Sequence, residues 1–325
     1  MRILVIGGTA FVGRAISLAA HDAGHQVTVL NRGQTPSDLP GDIERLVGER
    51  PGELTALESR EFDATIDVIA YRPADVHALA DAIGDRGGHH LQISSISAYD
   101  DSMPIGATEQ TASLWPDGTV DPDAAIDAAT YGPLKAACEH AATSRFSDAK
   151  LTFVRPTYVI GGHDRTMRFP YWVARCQRGG RIAVPGPRTT VLQYIDARDV
   201  GEFTVRLLAD GTTGGFTCAG PFPARSYVDV VEEVARLVAP AGSEVVEVPA
   251  EDVAAAGLDG AFPLWSGAQP EAALSMDPAA ALAAGLSPRS LADSVADTAA
   301  WWNGREWPGQ WLTADAESAL LGRLD

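Results

Sequence analysis

The turn Gly7-Gly8-Thr9-Ala10-Phe11-Val12-Gly13 constrains this chain more than any other feature, because of what stands on either side of it. Ile3-Leu4-Val5-Ile6 comes before it. That apolar run ends after four residues, too short for the core of a secretory leader, and reads as a buried strand. After the turn, Val12, Ile16, Leu18 and Ala19 recur at helical spacing, and Gly24 is placed to end the helix in the left-handed region. Val27-Thr28-Val29-Leu30 is rich in β-branched residues and reads as a second strand. Strand, turn, helix and strand within about 30 residues form the unit that joins two parallel strands, which no tight hairpin can connect.

The alternation continues. Residues 45–47, 64–70, 90–94 and 151–154 read as strands, and 73–83 and 131–145 as helices. The alternation of strand and helix predicts a doubly wound parallel sheet over residues 1–160. The acidic, Pro-, Ala- and Gly-rich stretch 100–130 is expected to be a loop or partial lid. Past Gly161 the pattern loosens. Turns are marked at 178–180, 185–187 and 214–215, helices at 199–209, 226–238 and 288–302, and a strand at 245–248. A chain of 325 residues exceeds one compact core of ordinary size. Residues 161–325 are therefore expected to form mainly a smaller α+β substrate-binding lobe with C-terminal helices, some segments returning to the sheet, since no linker separates the halves.

Net charge is −18, and no Lys/Arg cluster offsets it, which tells against a nucleic-acid partner. No apolar run approaches the ~20 residues of a membrane span. Cys138, Cys176 and Cys218 are odd in number and far apart, so neither a disulfide framework nor a zinc spacing is expected. A reducing cytoplasm is the simplest compartment. His89-His90 would face opposite sides of a strand, and no metal site is expected. Trp301, Trp302, Trp307 and Trp311 read as a tail docked on the core.

In the 7–13 turn, Gly7 would let the chain reverse sharply and Gly13 would let helix pack on strand. A small residue at Ala10 would let backbone approach a pyrophosphate, and the helix N-terminus would offer its unpaired N–H groups. The second strand ends Leu30-Asn31-Arg32-Gly33. A ribose 2′-hydroxyl calls for Asp or Glu here, whereas a 2′-phosphate calls for Arg. NADP is expected in preference to NAD.

Ser94-Ser95-Ile96-Ser97 follows a strand, and Tyr131-Gly132-Pro133-Leu134-Lys135 opens a helix. Residues four apart share a helix face, so Tyr131 and Lys135 can meet one pocket. A neighbouring ammonium would lower the phenol's pKa and suit it to proton transfer at a substrate oxygen, with Ser95 polarising the carbonyl. Candidate catalytic residues are Ser95, Tyr131 and Lys135. Candidate cofactor-binding residues are Gly7, Thr9, Ala10, Phe11, Val12, Gly13, Asn31, Arg32 and Lys135.

In this order the motifs resemble the short-chain dehydrogenase/reductase superfamily, in its extended or atypical epimerase/dehydratase-like branch. The resemblance covers nearly the whole chain. It includes Ser95 four residues before Tyr99, Phe153-Val154-Arg155-Pro156, Tyr194-Ile195-Asp196-Ala197-Arg198-Asp199-Val200 and the closing region 276–301. It implies a Rossmann-type fold and an NADP-dependent oxidoreductase acting on a small carbonyl or alcohol. An alternative is a nucleotide-sugar epimerase or dehydratase. A further one is a non-catalytic NADP-binding, RNA-associated regulator, since the turn also resembles chloroplast stem-loop-binding relatives. The chain departs from the branch at Ala10, a glycine there. Tyr158 stands at a usual asparagine, and Leu192 at a usual arginine that meets the sugar nucleotide's diphosphate. Arg188 or Arg168 could substitute for that arginine. The run Arg168-Phe169-Pro170-Tyr171-Trp172 could line the substrate pocket with aromatics and one cation, or simply pack. A monomer is expected, or a homodimer through helices 75–83 and 131–145, where Ala136, Cys138 and Ala142 are small enough for close approach.

Overall fold

The computed structural model describes every residue except Thr35, Glu53, 268–273, Gly304, 306–308, Gln310 and Asp325. The first half runs β1 (Arg2–Ile6), α1 (Phe11–Asp22), β2 (Gln26–Asn31), β3 (Glu44–Val47), β4 (Ala64–Asp67), α2 (Pro73–Ile83), β5 (His89–Ile93), α3 (Tyr131–Arg145), β6 (Leu151–Pro156) and β7 (Tyr158–Ile160). The second half runs α4 (Arg168–Arg178), β8 (Arg181–Pro185), β9 (Val191–Leu192), β10 (Tyr194–Asp196), α5 (Ala197–Ala209), β11 (Gly214–Cys218), β12 (Arg225–Ser226), α6 (Tyr227–Val238), β13 (Glu244–Val248), α7 (Ala250–Ala255), α8 (Ala279–Ala283), α9 (Leu291–Trp302) and α10 (Ala314–Leu321).

Seven parallel strands form the central sheet in the order β11-β6-β5-β4-β1-β2-β3. The chain steps outward from β1 through β2 to β3, then returns to β4 on the other side of β1. That reversal splits the sheet's carboxyl edge and opens a crevice between the ends of β1 and β4. Ile3, Val5, Ile66, Leu91 and Ile93 point to the face covered by α1 and α5, and all are buried. The opposite face is covered by α2 and α3.

Helices and strands expected in the first half are present within a few residues. The later half is more divided than the sequence suggests. Helix α5 packs on α1, and β11 adds an edge strand beside β6, so 197–218 belongs to the central sheet layer and interrupts the second lobe. Around that return, β8 pairs with β13 and β9 with β12, and α4, α6, α9 and α10 enclose a separate core. Phe169, Tyr171 and Trp172 are buried in it, and the Trp172 indole N–H donates to the Pro263 carbonyl at 3.0 Å. The aromatic run is therefore packing; only Arg168 of that segment reaches the cleft. Ala136, Cys138 and Ala142 are fully buried within this one chain, so their small size serves the contact of α3 with its own core.

Trp301 lies against His163, ring centroids 5.3 Å apart, and the Trp311 indole N–H donates to the Thr166 carbonyl at 2.9 Å, so this part of the tail docks as expected. Trp307 lies outside the described residues. Among the described residues, no helix is long and apolar enough to cross a membrane.

Candidate active site

The crevice holds a cavity of about 480 Å³ that continues into a second cleft of about 370 Å³. Gly7 and Ala10 border both. Ser95, Tyr131, Lys135 and Phe11, Val12, Gly13 border the first, and Thr9, Asn31 and Arg32 the second. Every candidate residue thus lies along one continuous groove.

At the turn, Gly7 has φ +83°. A Cβ on Gly13 would stand 2.1 Å from the Gly7 carbonyl oxygen, so any side chain there would force α1 away from β1. Ala10 occupies the N-cap and supplies no side-chain acceptor to the first turn of α1. The N–H groups at that end are therefore left to an outside anion, which is the condition for holding a pyrophosphate. The residues present fit a dinucleotide.

Gly132 was not singled out from the sequence, yet it sets the chemical end. A Cβ on it would lie 2.3 Å from the Ser97 carbonyl oxygen. Its absence lets the start of α3 seat against the segment after β5, which brings Tyr131 and Ser95 to the same cavity. The Ser95 hydroxyl also accepts the Ser97 N–H at 3.1 Å, which fixes its rotamer.

The electrostatics differ from expectation in one respect. Burial pushes the Tyr131 phenol above its ordinary pKa, opposed by the nearby Ser95 hydroxyl and the Arg168 guanidinium. Lys135, on the same helix face, is fully buried and donates to the Ala70 and Ile93 carbonyls, both at 2.9 Å. Its charge is held beneath the cavity, and the cation acting on the phenol is Arg168.

At the other end, Asn31 accepts the Gly33 N–H at 2.7 Å, and Arg32 faces Glu49 at 3.6 Å with more than half of each side chain exposed. Buried behind them, Arg50 grips Asp67 at 2.5 and 2.9 Å. Burial alone would raise the Asp67 carboxyl, but Arg50 holds it below the usual carboxylate range. Glu49, Arg50, Tyr71, Thr157 and Tyr158 also border the groove. A signal for them existed: each follows the carboxyl end of a parallel strand, where such sheets place their ligands. His89 and His90 do face opposite ways, His89 toward Thr152 Oγ1 at 2.8 Å and His90 stacked on Phe146 at 3.9 Å. Among the described residues, no group of three or more His, Cys, Asp or Glu side chains is arranged to hold a metal ion.

Residues 3–217 match the profile of the NAD dependent epimerase/dehydratase family. The chain belongs to that family. Among curated relatives, 2'-dehydrokanamycin reductase of Streptomyces kanamyceticus is 26% identical over 66% of this chain and 60% of its own length. A chloroplast stem-loop binding protein of Arabidopsis thaliana is 23% identical over 64% of this chain and 55% of its own. The chain thus spans less than two thirds of either relative. The fold is that of dTDP-glucose 4,6-dehydratase from Bacillus anthracis, solved with NAD, at TM-score 0.70 and 14% identity over 98% of this chain and 99% of that one.

Leu192 is buried, and Arg188 is bound by Asp229 and Glu232, without bordering the cavity. Of the two arginines that could replace the missing one, only Arg168 is in place.

Proposed function

We propose that this chain is an NADP-dependent oxidoreductase that interconverts a small carbonyl compound and its alcohol. The observation that carries the reading is that Ser95, Tyr131 and Lys135 border the same cavity as the 7–13 turn. The bound nicotinamide supplies or accepts a hydride. The substrate oxygen would sit between the Ser95 and Tyr131 hydroxyls, with Ser95 orienting it. Tyr131 gives it a proton in reduction and recovers one in oxidation. Burial keeps that phenol protonated at neutral pH, the form that reduction requires. Lys135 spends two of its three donors on backbone carbonyls, leaving one N–H for a ribose hydroxyl.

The preference for NADP rests on Arg32 and on the lack of a carboxylate at the end of β2. A 2′-phosphate would replace Glu49 as the partner of Arg32. The missing diphosphate arginine favours a substrate smaller than a nucleotide sugar, and the reductase relative favours net redox turnover. The negative net charge and the Ser95–Tyr131 pair weigh against an RNA-associated role. Three free, buried cysteines suit a reducing cytoplasm.

The test is NADPH consumption at 340 nm with a panel of aldehydes and ketones. Stoichiometric oxidation of NADPH is expected. Substrate conversion without net NADPH loss would place the chain with the epimerases instead.

A further inference from the structure

The cavity is charged opposite to the chain around it. The protein carries a net −18, yet among the described residues its cavity is bordered by Lys135, Arg165 and Arg168 against a single acid, Asp164. That acid is already satisfied. It accepts the Thr166 N–H at 2.9 Å, the Thr166 hydroxyl at 2.6 Å, the Arg168 N–H at 3.2 Å and Arg168 Nε at 3.3 Å.

Two of the three cations have other work. Lys135 is anchored beneath the floor, and Arg165 also borders the nucleotide cleft. Arg168 borders only the chemical end. Its Nε is steadied by Asp164, while among the described residues its terminal nitrogens donate to nothing. A guanidinium held at Nε presents its remaining N–H groups as a fork matched to two oxygens on one atom.

We propose that Arg168 binds a carboxylate of the substrate, so that the compound reacting at Tyr131 is a small oxo acid or hydroxy acid; this rests on the oxidoreductase reading above. Arg168 is paired with Asp164 through Nε, and the fork of its two terminal nitrogens matches the two oxygens of one carboxylate. A phosphate dianion or a nucleotide diphosphate would call for a further cation beside that fork, and an amine would find no acceptor on it. Arg168 and Tyr131 border the same cavity, so carboxylate and reacting carbonyl belong to one small molecule.

The experiment compares short 2-oxo and 3-oxo acids with their methyl esters, following NADPH oxidation by the wild-type chain and by Arg168→Met and Arg168→Lys. Binding of the corresponding hydroxy acids to the NADP⁺-loaded protein is measured by calorimetry alongside. In wild type, kcat/KM should favour acid over ester by on the order of tenfold to a hundredfold, the usual range for a charge-assisted hydrogen bond. The ratio should fall toward unity in Arg168→Met and be partly restored in Arg168→Lys, with NADPH affinity unchanged in both. Hydroxy-acid binding that depends on Arg168 without any NADPH oxidation would uphold this inference and overturn the oxidoreductase reading. Turnover of esters equal to acids, a ratio unmoved in Arg168→Met, or no carboxylate binding would overturn the inference and leave that reading standing.

Discussion

At the nucleotide end of the groove, most of what the cofactor is proposed to meet lies in residues 7–13 and 31–32, within a single βαβ unit. At the chemical end, Ser95, Tyr131, Thr157 and Arg168 arrive on separate segments spread over more than seventy positions. The first end is a backbone cradle shaped by where side chains are missing. The second is a set of side chains whose meeting depends on the packing of α3 against the segment after β5 and of the second lobe against the sheet. A cradle fails when a side chain is added, whereas the chemical end should lose its chemistry group by group while the fold persists.

The sharpest way to break this contrast is Gly13→Ala. Its Cβ would overlap the Gly7 carbonyl at 2.1 Å, and backbone has no rotamer to retreat into. Overpacking of this kind should cost about 3 kcal/mol or more and abolish nucleotide binding, read by thermal unfolding and NADPH titration. Tyr131→Phe should do the opposite. It keeps the ring but removes the transferable proton, so turnover should fall ~10²–10⁴-fold with the NADPH Kd nearly unchanged. Lys135→Ala should harm both quantities, since that lysine braces the floor and is proposed to bind the ribose.

The sheet between the two ends offers a third probe. His90 is fully buried, its ring nitrogens have no hydrogen-bond partner, and desolvation pushes it down to about 4. The unfolded chain would titrate nearer 6.5 and bind the proton first as pH falls. Stability is therefore fully present above 6.5 and is lost as pH drops toward 4, by roughly 3 kcal/mol over that window. His90→Leu should flatten the pH dependence of urea unfolding between those limits. An unchanged slope would assign the acid sensitivity elsewhere.

The smallest expected effects are at the cradle's outer rim. Arg32→Ala should weaken NADPH by roughly 1–3 kcal/mol and leave NADH alone, as a charge-assisted hydrogen bond is lost. Glu49→Gln should tighten NADPH, because a competing carboxylate leaves Arg32. Equal losses for both nucleotides in Arg32→Ala would remove that residue from cofactor choice.

The same contrast explains how far the sequence could be read. Local spacing exposes a backbone cradle, so the 7–13 turn and the strands around it were legible, as was the Tyr131–Lys135 pair, which needs only one helix. The return of α5 and β11 to the sheet was not, because Gly214-Gly215 carries a turn signal where the structure pairs β11 with β6. Nor was the importance of Gly132, whose role is visible only once Ser97 is seen beside it. The source of the charge acting on Tyr131 was misjudged for a similar reason. Helical spacing puts Lys135 on the same face, but two backbone carbonyls from other segments capture it, and Arg168 takes the role from thirty-seven positions away.

That the two ends form one working cleft is tested most directly by titrating NADPH and NADH into the wild-type chain, following nicotinamide fluorescence. Saturable binding of one NADPH per chain, tighter than NADH, is the expected result. No binding of either nucleotide, or a preference for NADH, would contradict it.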